Sequence, residues 1–290
     1  MLKHRLTFGT LMIALLLGSL YADQALGRVS LGGVTLPAGL VILLLAAGLV
    51  AAAARELAAI FRAKSLPGDA LMLALAGLAG LIAMWLPGDA VAVASVAGVA
   101  AVAGAVLLVA IARQCLPTQR CDGALAAGGA ASLAFIYLGL LPGFFLLIRQ
   151  GHSAWAVAGV ILIIKACDIG AYFTGRTLGR HKLIAWLSPG KTWEGLGGGV
   201  ALAAAAALGL AAMSNATGPT TYPLALAAAG GALLGLVGQL GDLVASALKR
   251  DAGIKDAGRS IPGFGGVLDV VDSPLLAAPV AYALLILLAR

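Results

Sequence analysis

Residues 242–273 gather four Lys or Arg, five Asp and five Gly into one stretch, in a chain that is 61% hydrophobic and only 11% charged. Together these are the materials of a metal–polyphosphate site. Carboxylates hold a hard cation, Lys and Arg hold phosphate oxygens, and glycine lets backbone N–H groups approach those oxygens closely. Asp242, Ser246 and Lys249 stand at i, i+4 and i+7, so they share one helical face, with Gly238 a turn earlier. A carboxylate in the last turns of an apolar helix is costly without a partner. Asp242 is therefore either half of a structural pair with a nearby Lys or Arg, or a metal ligand with Lys249 and Arg250 beyond it for phosphate. Asp269 and Asp272 follow at i, i+3, and with Asp242 they make an oxygen-rich set suited to Mg2+. Asp272 suits an N-cap beside Ser273 equally well, whereas Asp269 is surrounded by Val267, Leu268, Val270 and Val271. Gly263, Gly265 and Gly266 lie between the bases and Asp269, and no Gly-Lys-Ser/Thr follows, so this is not a P-loop.

A second polar stretch runs over 168–195. Arg176, Lys182 and Lys191 are basic enough to grip phosphate, while Arg180 reads as flanking charge and His181 as structural. Thr192 and Glu194 suit a helix start beside an interfacial anchor, Trp193. Lys165 and Asp168, at i, i+3, offset each other's cost within an apolar segment.

The elements that position these groups are membrane helices. Mean hydropathy is +1.04, and apolar runs near 6–22, 34–54, 70–86, 90–111, 124–148, 154–173, 194–213, 222–247 and 274–289 predict an all-α polytopic membrane protein of about nine helices. Leu-Pro-Gly-Asp at 66–69 and 86–89 reads as turn chemistry, with Asp69 or Asp89 capping the next helix, and Ser273-Pro274 predicts the start of the last one. No separate soluble domain fits: 1–290 is one integral-membrane domain, with helices over 1–150 as scaffold and a catalytic region over 165–275. The amino-terminal run lacks a clean small-x-small cleavage site and is read as an uncleaved first helix. With a cytoplasmic N-terminus, 15 Lys or Arg fall inside and three (Arg28, Arg149, Arg290) outside, with Lys165 in a span. That orientation puts loops 174–193 and 248–273, and hence the active site, on the cytoplasmic side of the inner (plasma) membrane. The net charge of +7 then reflects topology and lipid attraction, not nucleic-acid binding. Cys115, Cys121 and Cys167 have neither metal-ligand spacing nor a disulfide framework. Gly195-x-x-x-Gly199 and Gly231-x-x-x-Gly235 permit close helix contacts within one chain or in a homodimer.

The C-terminal half resembles the phosphatidate cytidylyltransferase (CDP-diacylglycerol synthase) family. Ser246, Lys249, Arg250, Lys255, Asp256, Pro262, Gly263, Gly265, Gly266, Leu268, Asp269, Asp272 and Ser273 match the family's carboxy-terminal pattern with its spacing intact. The stretches Asp-x-Gly-Ala-Tyr from Asp168 and Ser-Pro-x-Lys-Thr-Trp-Glu-Gly from Ser188 match as well. The resemblance covers 165–275; the first half matches only as Ala/Leu-rich spans. Phe264 stands where the family has His, and Val270 where it has Arg, so no role of those two residues carries over.

The resemblance implies transfer of the cytidylyl group of CTP to phosphatidate, giving CDP-diacylglycerol and pyrophosphate, with Mg2+ and a monovalent cation such as K+ as cofactors. Asp242 and Asp269 are then expected as metal ligands with Asp272 beside them. Lys249, Arg250 and Lys255 are expected on the triphosphate with Asp256 in the same catalytic stretch, and Lys191 and Arg176 on the lipid phosphate, the two sets being interchangeable. The rival readings are a CTP-dependent polyprenol or dolichol-type kinase, and a transporter using Lys165 and Asp168. The latter expects broken or charged helices in symmetric halves, and the first five apolar segments contain no mid-span ionisable residue.

Overall fold

A computed structural model describes residues 2–27, 30–31, 34–86, 92–117, 119–217 and 221–288. Among them are nine helices: α1 (Leu2–Leu26), α2 (Leu40–Ala63), α3 (Ala70–Trp85), α4 (Ala92–Cys115), α5 (Ala124–Gly151), α6 (Ala154–Leu178), α7 (Trp193–Thr217), α8 (Leu224–Asp251) and α9 (Val267–Leu288). Eight are long and apolar enough to cross a membrane; α3, of 16 residues, is the shorter one. The chain is an all-α polytopic membrane protein, as its apolar periodicity predicts. A short antiparallel hairpin, β1 (Lys182–Ile184) and β2 (Ser188–Thr192), joins α6 to α7.

The chain divides into two compact units. One comprises Met1–Gly151 with Asp251–Val270; the other comprises His152–Arg250 with Val271–Arg290. In the first, α3 packs against α2 and against the middle of α5. There α5 passes through a π-helical turn, Phe135–Leu140. A Cβ at Gly80 would run into the Phe135 carbonyl and Gly139, so these two helices touch backbone to backbone. Asp69 caps α3 as its position predicts, accepting the Met72 N–H at 2.9 Å, and it also pairs with Arg113 at 2.7 Å. Asp89 lies outside the described residues.

A buried ion pair closes the far end of this unit. Arg149 Nε donates to Asp23 Oδ2 at 2.5 Å, with side chains only 9% and 2% exposed. Asp23 also accepts the N–H groups of Gly39 (3.2 Å) and Val41 (3.0 Å), so one carboxylate satisfies both a guanidinium and the start of α2. Arg149, counted from sequence among the three outside charges, has a structural partner.

In the second unit α6 and α7 pack along one another, and α8 lies against both. A Cβ at Gly199 would sit 2.7 Å from the Cys167 carbonyl oxygen, and one at Gly231 would sit 2.7 Å from that of Ala203. Both small-residue motifs therefore serve contacts inside the chain.

Two boundaries differ from the sequence reading. Helix α2 runs to Ala63, nine residues beyond its apolar segment, which carries Glu56 into the helix. The absence of ionisable residues from the first five spans thus holds for the apolar segments and not for the helices. The last helix begins at Val267, not at Pro274, which lies inside it together with Pro279. The reason is an acceptor brought from elsewhere in the chain. Glu56 takes the N–H groups of Val267 (2.9 Å) and Leu268 (2.8 Å), satisfying two orphan donors of the new first turn. Asp272 is consequently not an N-cap.

Candidate active site

The sequence-derived residues fall into two groups, one in each unit. In the second unit a chain of polar groups runs across α6, α8 and the β1–β2 hairpin. Lys165 Nζ meets Asp168 Oδ2 at 3.0 Å, the predicted pair. Asp168 Oδ1 accepts from Gln239 Nε2 at 2.9 Å. Lys191 Nζ donates to the Gln239 carbonyl (3.1 Å) and to Asp242 Oδ2 (2.9 Å). Ser246 Oγ, one turn on, lies 3.5 Å from Asp242 Oδ1. Asp242, Ser246 and Lys249 thus form one face of α8, and Asp242 has the basic partner that one of the two readings asks for. Lys191 reaches it from the end of β2, one residue before Thr192 turns the chain into α7.

Asp272 and Lys249, 4% and 8% exposed, complete this group. Asp272 interacts electrostatically with Asp242, Lys249 and Lys165, and one of its oxygens accepts the Ser273 N–H at 2.7 Å. A Cβ at Gly241 would meet the Asp272 carbonyl oxygen at 2.6 Å, so α8 and α9 run in near-backbone contact beside the carboxylates. Three Lys and three Asp gather here in an apolar bundle; the lysines lower the cost of the carboxylates, while Asp242 and Asp272 oppose each other. Lysine ammoniums remain in position to take a phosphate if carboxylate partners are exchanged for it. Arg250 donates from Nε to the Leu187 carbonyl at 3.4 Å. Arg176 is exposed with its guanidinium on the Tyr172 hydroxyl (3.0 Å), and Lys182 is exposed on β1.

Thr192 and Glu194 hold the hairpin in place. Thr192 Oγ1 accepts the Gly195 N–H at 3.1 Å and so caps α7. Glu194 accepts the N–H groups of Arg180 (3.1 Å) and His181 (3.2 Å) and pairs with His181 Nδ1 at 2.6 Å. Replacing Thr192 by Val keeps its volume and removes the cap. Thr192→Val is expected to cost about 1 kcal/mol, read as a lower thermal midpoint in detergent, while Thr192→Ser keeps most of the stability. An unchanged midpoint for the Val variant would show the cap to be immaterial.

The first unit carries the glycine loop with Lys255, Asp256 and Asp269. Lys255 and Asp256 are exposed. The loop closes on itself: Ile261 N–H donates to Gly265 O (2.9 Å), and the Phe264 and Gly265 N–H groups both donate to Ile261 O (3.1 Å). Gly263 (φ 88°) and Gly265 (φ 98°) adopt left-handed conformations that favour glycine. Asp269 accepts from Gly266 N (2.8 Å) and Ala257 N (3.1 Å), fastening both ends of the loop. Phe264, at the family's histidine position, lays its ring over Gly9 of α1.

Two residues absent from the sequence-derived set prove central. Glu56, 5% exposed, accepts Ser260 Oγ (2.6 Å) besides the two amides of α9, and a Cβ at Gly258 would lie 2.7 Å from its Oε1. Gln239, 7% exposed, bridges the Lys165–Asp168 pair to Lys191. Each is a buried polar residue in a mostly apolar helix, and burial marks it as needing a partner.

Among the described residues no group of three or more His, Cys, Asp or Glu is disposed to hold a metal ion. Mg2+, however, commonly takes one or two carboxylates and completes its shell with water and substrate phosphate. Asp242 and Asp272, hard oxygen donors in one unit and near enough to interact electrostatically, fit that demand.

A family model described as "Cytidylyltransferase family" matches residues 3–288. The chain belongs to the cytidylyltransferase family. It is similar to proteins named phosphatidate cytidylyltransferase from three bacteria. With that of Bacillus subtilis (strain 168) it is 39% identical over 161 residues, 55% of this chain and 58% of the relative. With that of Brucella suis biovar 1 it is 47% identical over 121 residues, 41% of this chain and 43% of the relative. With that of Pseudomonas aeruginosa it is 40% identical over 149 residues, 50% and 54% respectively. The chain thus spans about half the length of the curated relatives it matches.

Proposed function

We propose that this cytidylyltransferase-family protein joins CTP to phosphatidate, giving CDP-diacylglycerol and pyrophosphate for phospholipid synthesis. The observation that carries the reading is the set of three lysines and three carboxylates, Lys165, Lys191 and Lys249 with Asp168, Asp242 and Asp272, inside a membrane bundle of that family. A phosphate oxygen of the lipid attacks the α-phosphorus of CTP, and the bond from that phosphorus to the β-phosphate oxygen breaks, releasing pyrophosphate. The attacking oxygen is already anionic near neutral pH, so no protein nucleophile is required. The protein's task is to hold two anions in line and to neutralise the leaving group. Lys191 and Lys249 suit that role, their ammonium groups being held close to carboxylates that phosphate can displace. Gln239 fixes the Lys191 ammonium in place. Asp242 and Asp272 would hold Mg2+, which when bound offsets charge on the phosphates. The Lys and Arg distribution supports a site on the cytoplasmic side of the inner membrane, where CTP is present.

The test is an assay of purified protein in lipid nanodiscs with CTP, phosphatidate and Mg2+. Pyrophosphate and CDP-diacylglycerol are expected in equal amounts. CDP formed with a polyprenol acceptor, or no consumption of CTP at all, would overturn the proposal.

A further inference from the structure

The second unit contains a cavity that none of this chemistry uses. It has a volume of about 580 Å3 and lies between the amino-terminal half of α6, the carboxy-terminal half of α7, the start of α8 and the end of α9. That is the end of the unit remote from the β1–β2 hairpin. Small residues open it: Gly159, Ala207, Ala211, Gly230 and Gly231 line its walls. It lies along four candidate membrane spans, and its volume falls within the range of sites that enclose one small ligand.

Its polarity is graded along its length. The deep end is formed by Ile163 and Leu234, and the mouth by His152, Ser214, Thr217 and Tyr222. The α6 lining positions from Trp155 to Ile163 are eight residues apart, about 12 Å by helical rise, and His152 lies just before the helix start. Half the hydrocarbon thickness of a bilayer is about 15 Å. The cavity is thus nearly as deep as one leaflet, apolar toward the midplane and hydrogen-bonding at the surface. The mouth is built, not merely polar: Asn215 Oδ1 accepts the Tyr222 N–H (2.7 Å) and its Nδ2 donates to the Tyr222 carbonyl (2.9 Å), tying the last turn of α7 to Tyr222, just before α8. Among the described residues no Lys, Arg, Asp or Glu lines the cavity, and its hydroxyls suit the ester and glycerol oxygens of a lipid.

We propose that this cavity is a binding site for one acyl chain of a glycerolipid from the leaflet at the Ala154 end of the bundle. The lipid's ester region would sit among the Ser214, Thr217 and Tyr222 side chains. An apolar void of this size between membrane helices forfeits dispersion contacts if empty and excludes water, and a hydrocarbon chain from the surrounding leaflet restores those contacts. The occupant is a resident lipid, distinct from any lipid held at the Lys191–Asp242 network.

The experiment uses the full chain in nanodiscs containing a phosphatidylcholine with a diazirine at the end of one acyl chain. After irradiation, labelled peptides are located by mass spectrometry. Labelling is expected to concentrate on 159–163 and 231–234, at the deep end. Gly159→Leu, which fills the cavity, is expected to cut that labelling at least fivefold. Leu202→Phe, on the exposed face of α7, is expected to leave it unchanged. A circular dichroism spectrum and thermal midpoint confirm that each variant is folded, and Ala211→Leu, filling the same space from α7, serves if Gly159→Leu is not. Labelling spread evenly over exposed leucines, or undiminished in a folded cavity-filling variant, would overturn the proposal. So would cross-links showing a second copy of the chain seated in the cavity.

Discussion

Asp242→Asn is expected to leave the protein folded and to lower its release of pyrophosphate from CTP at least 100-fold, by about 3 kcal/mol of lost transition-state stabilisation. Asparagine keeps the shape of the side chain and can still accept from Lys191, but it removes the negative charge. Two consequences follow for the site. On the proposed assignment Mg2+ would lose an anionic ligand, and the Lys191 ammonium, now 2.9 Å from that carboxylate and only 16% exposed, loses its counter-charge. If Asp242 were solely the structural partner of Lys191, the damage would appear in stability instead. In that case the thermal midpoint would fall, turnover of the folded fraction would stay within threefold of the parent's, and adding Lys191→Met would restore stability. The proposed assignment requires the opposite: a modest change in midpoint, a large loss of turnover, and no recovery of turnover in the double variant.

Glu56→Ala is expected to be the most destabilising single change in the first unit. Three donors lose their acceptor at once: the Ser260 hydroxyl and the amides of Val267 and Leu268. A buried donor left without a partner costs roughly 1–3 kcal/mol, so a loss of several kcal/mol is expected, spread over the 251–270 loop and the first turn of α9. Glu56→Gln is expected to fall between, because one amide oxygen cannot serve donors on both sides and the new NH2 group faces an N–H. Lys255 and Arg259 are exposed in this loop, which supplies a direct readout. Limited trypsinolysis at those positions should be fastest for Ala, intermediate for Gln and slowest for the parent. Equal cleavage rates in all three would show that Glu56 does not hold the loop.

The parts of this architecture that follow short-range rules are legible in the sequence. The Asp242–Ser246–Lys249 face and the Lys165–Asp168 pair need only helical periodicity, and the caps at Asp69 and Thr192 need only their position before an apolar run. The parts that depend on distant partners are not. Ser273-Pro274 carries a strong signal for a helix start, yet α9 opens seven residues earlier because Glu56, from α2, offers its first turn a carboxylate. Gln239 stands three residues before Asp242, but its link to Asp168 comes from another helix and is not visible in local spacing. The glycine loop was legible as glycine-rich but not in what its amides do: those of 264 to 266 bind Ile261 and Asp269 within the loop. The π-helical turn in α5 answers to the close approach of α3, which appears only once both helices are placed.

Glu56 also sets a condition on how the chain is made. Its donors lie 204 to 212 residues further along. At a synthesis rate of about 5–20 residues per second, the carboxylate waits roughly 10–40 s after leaving the ribosome before its partners exist. Throughout that interval the carboxylate beyond the apolar segment of α2 lacks these partners, so this end of α2 is completed only once residues 260–268 have been translated.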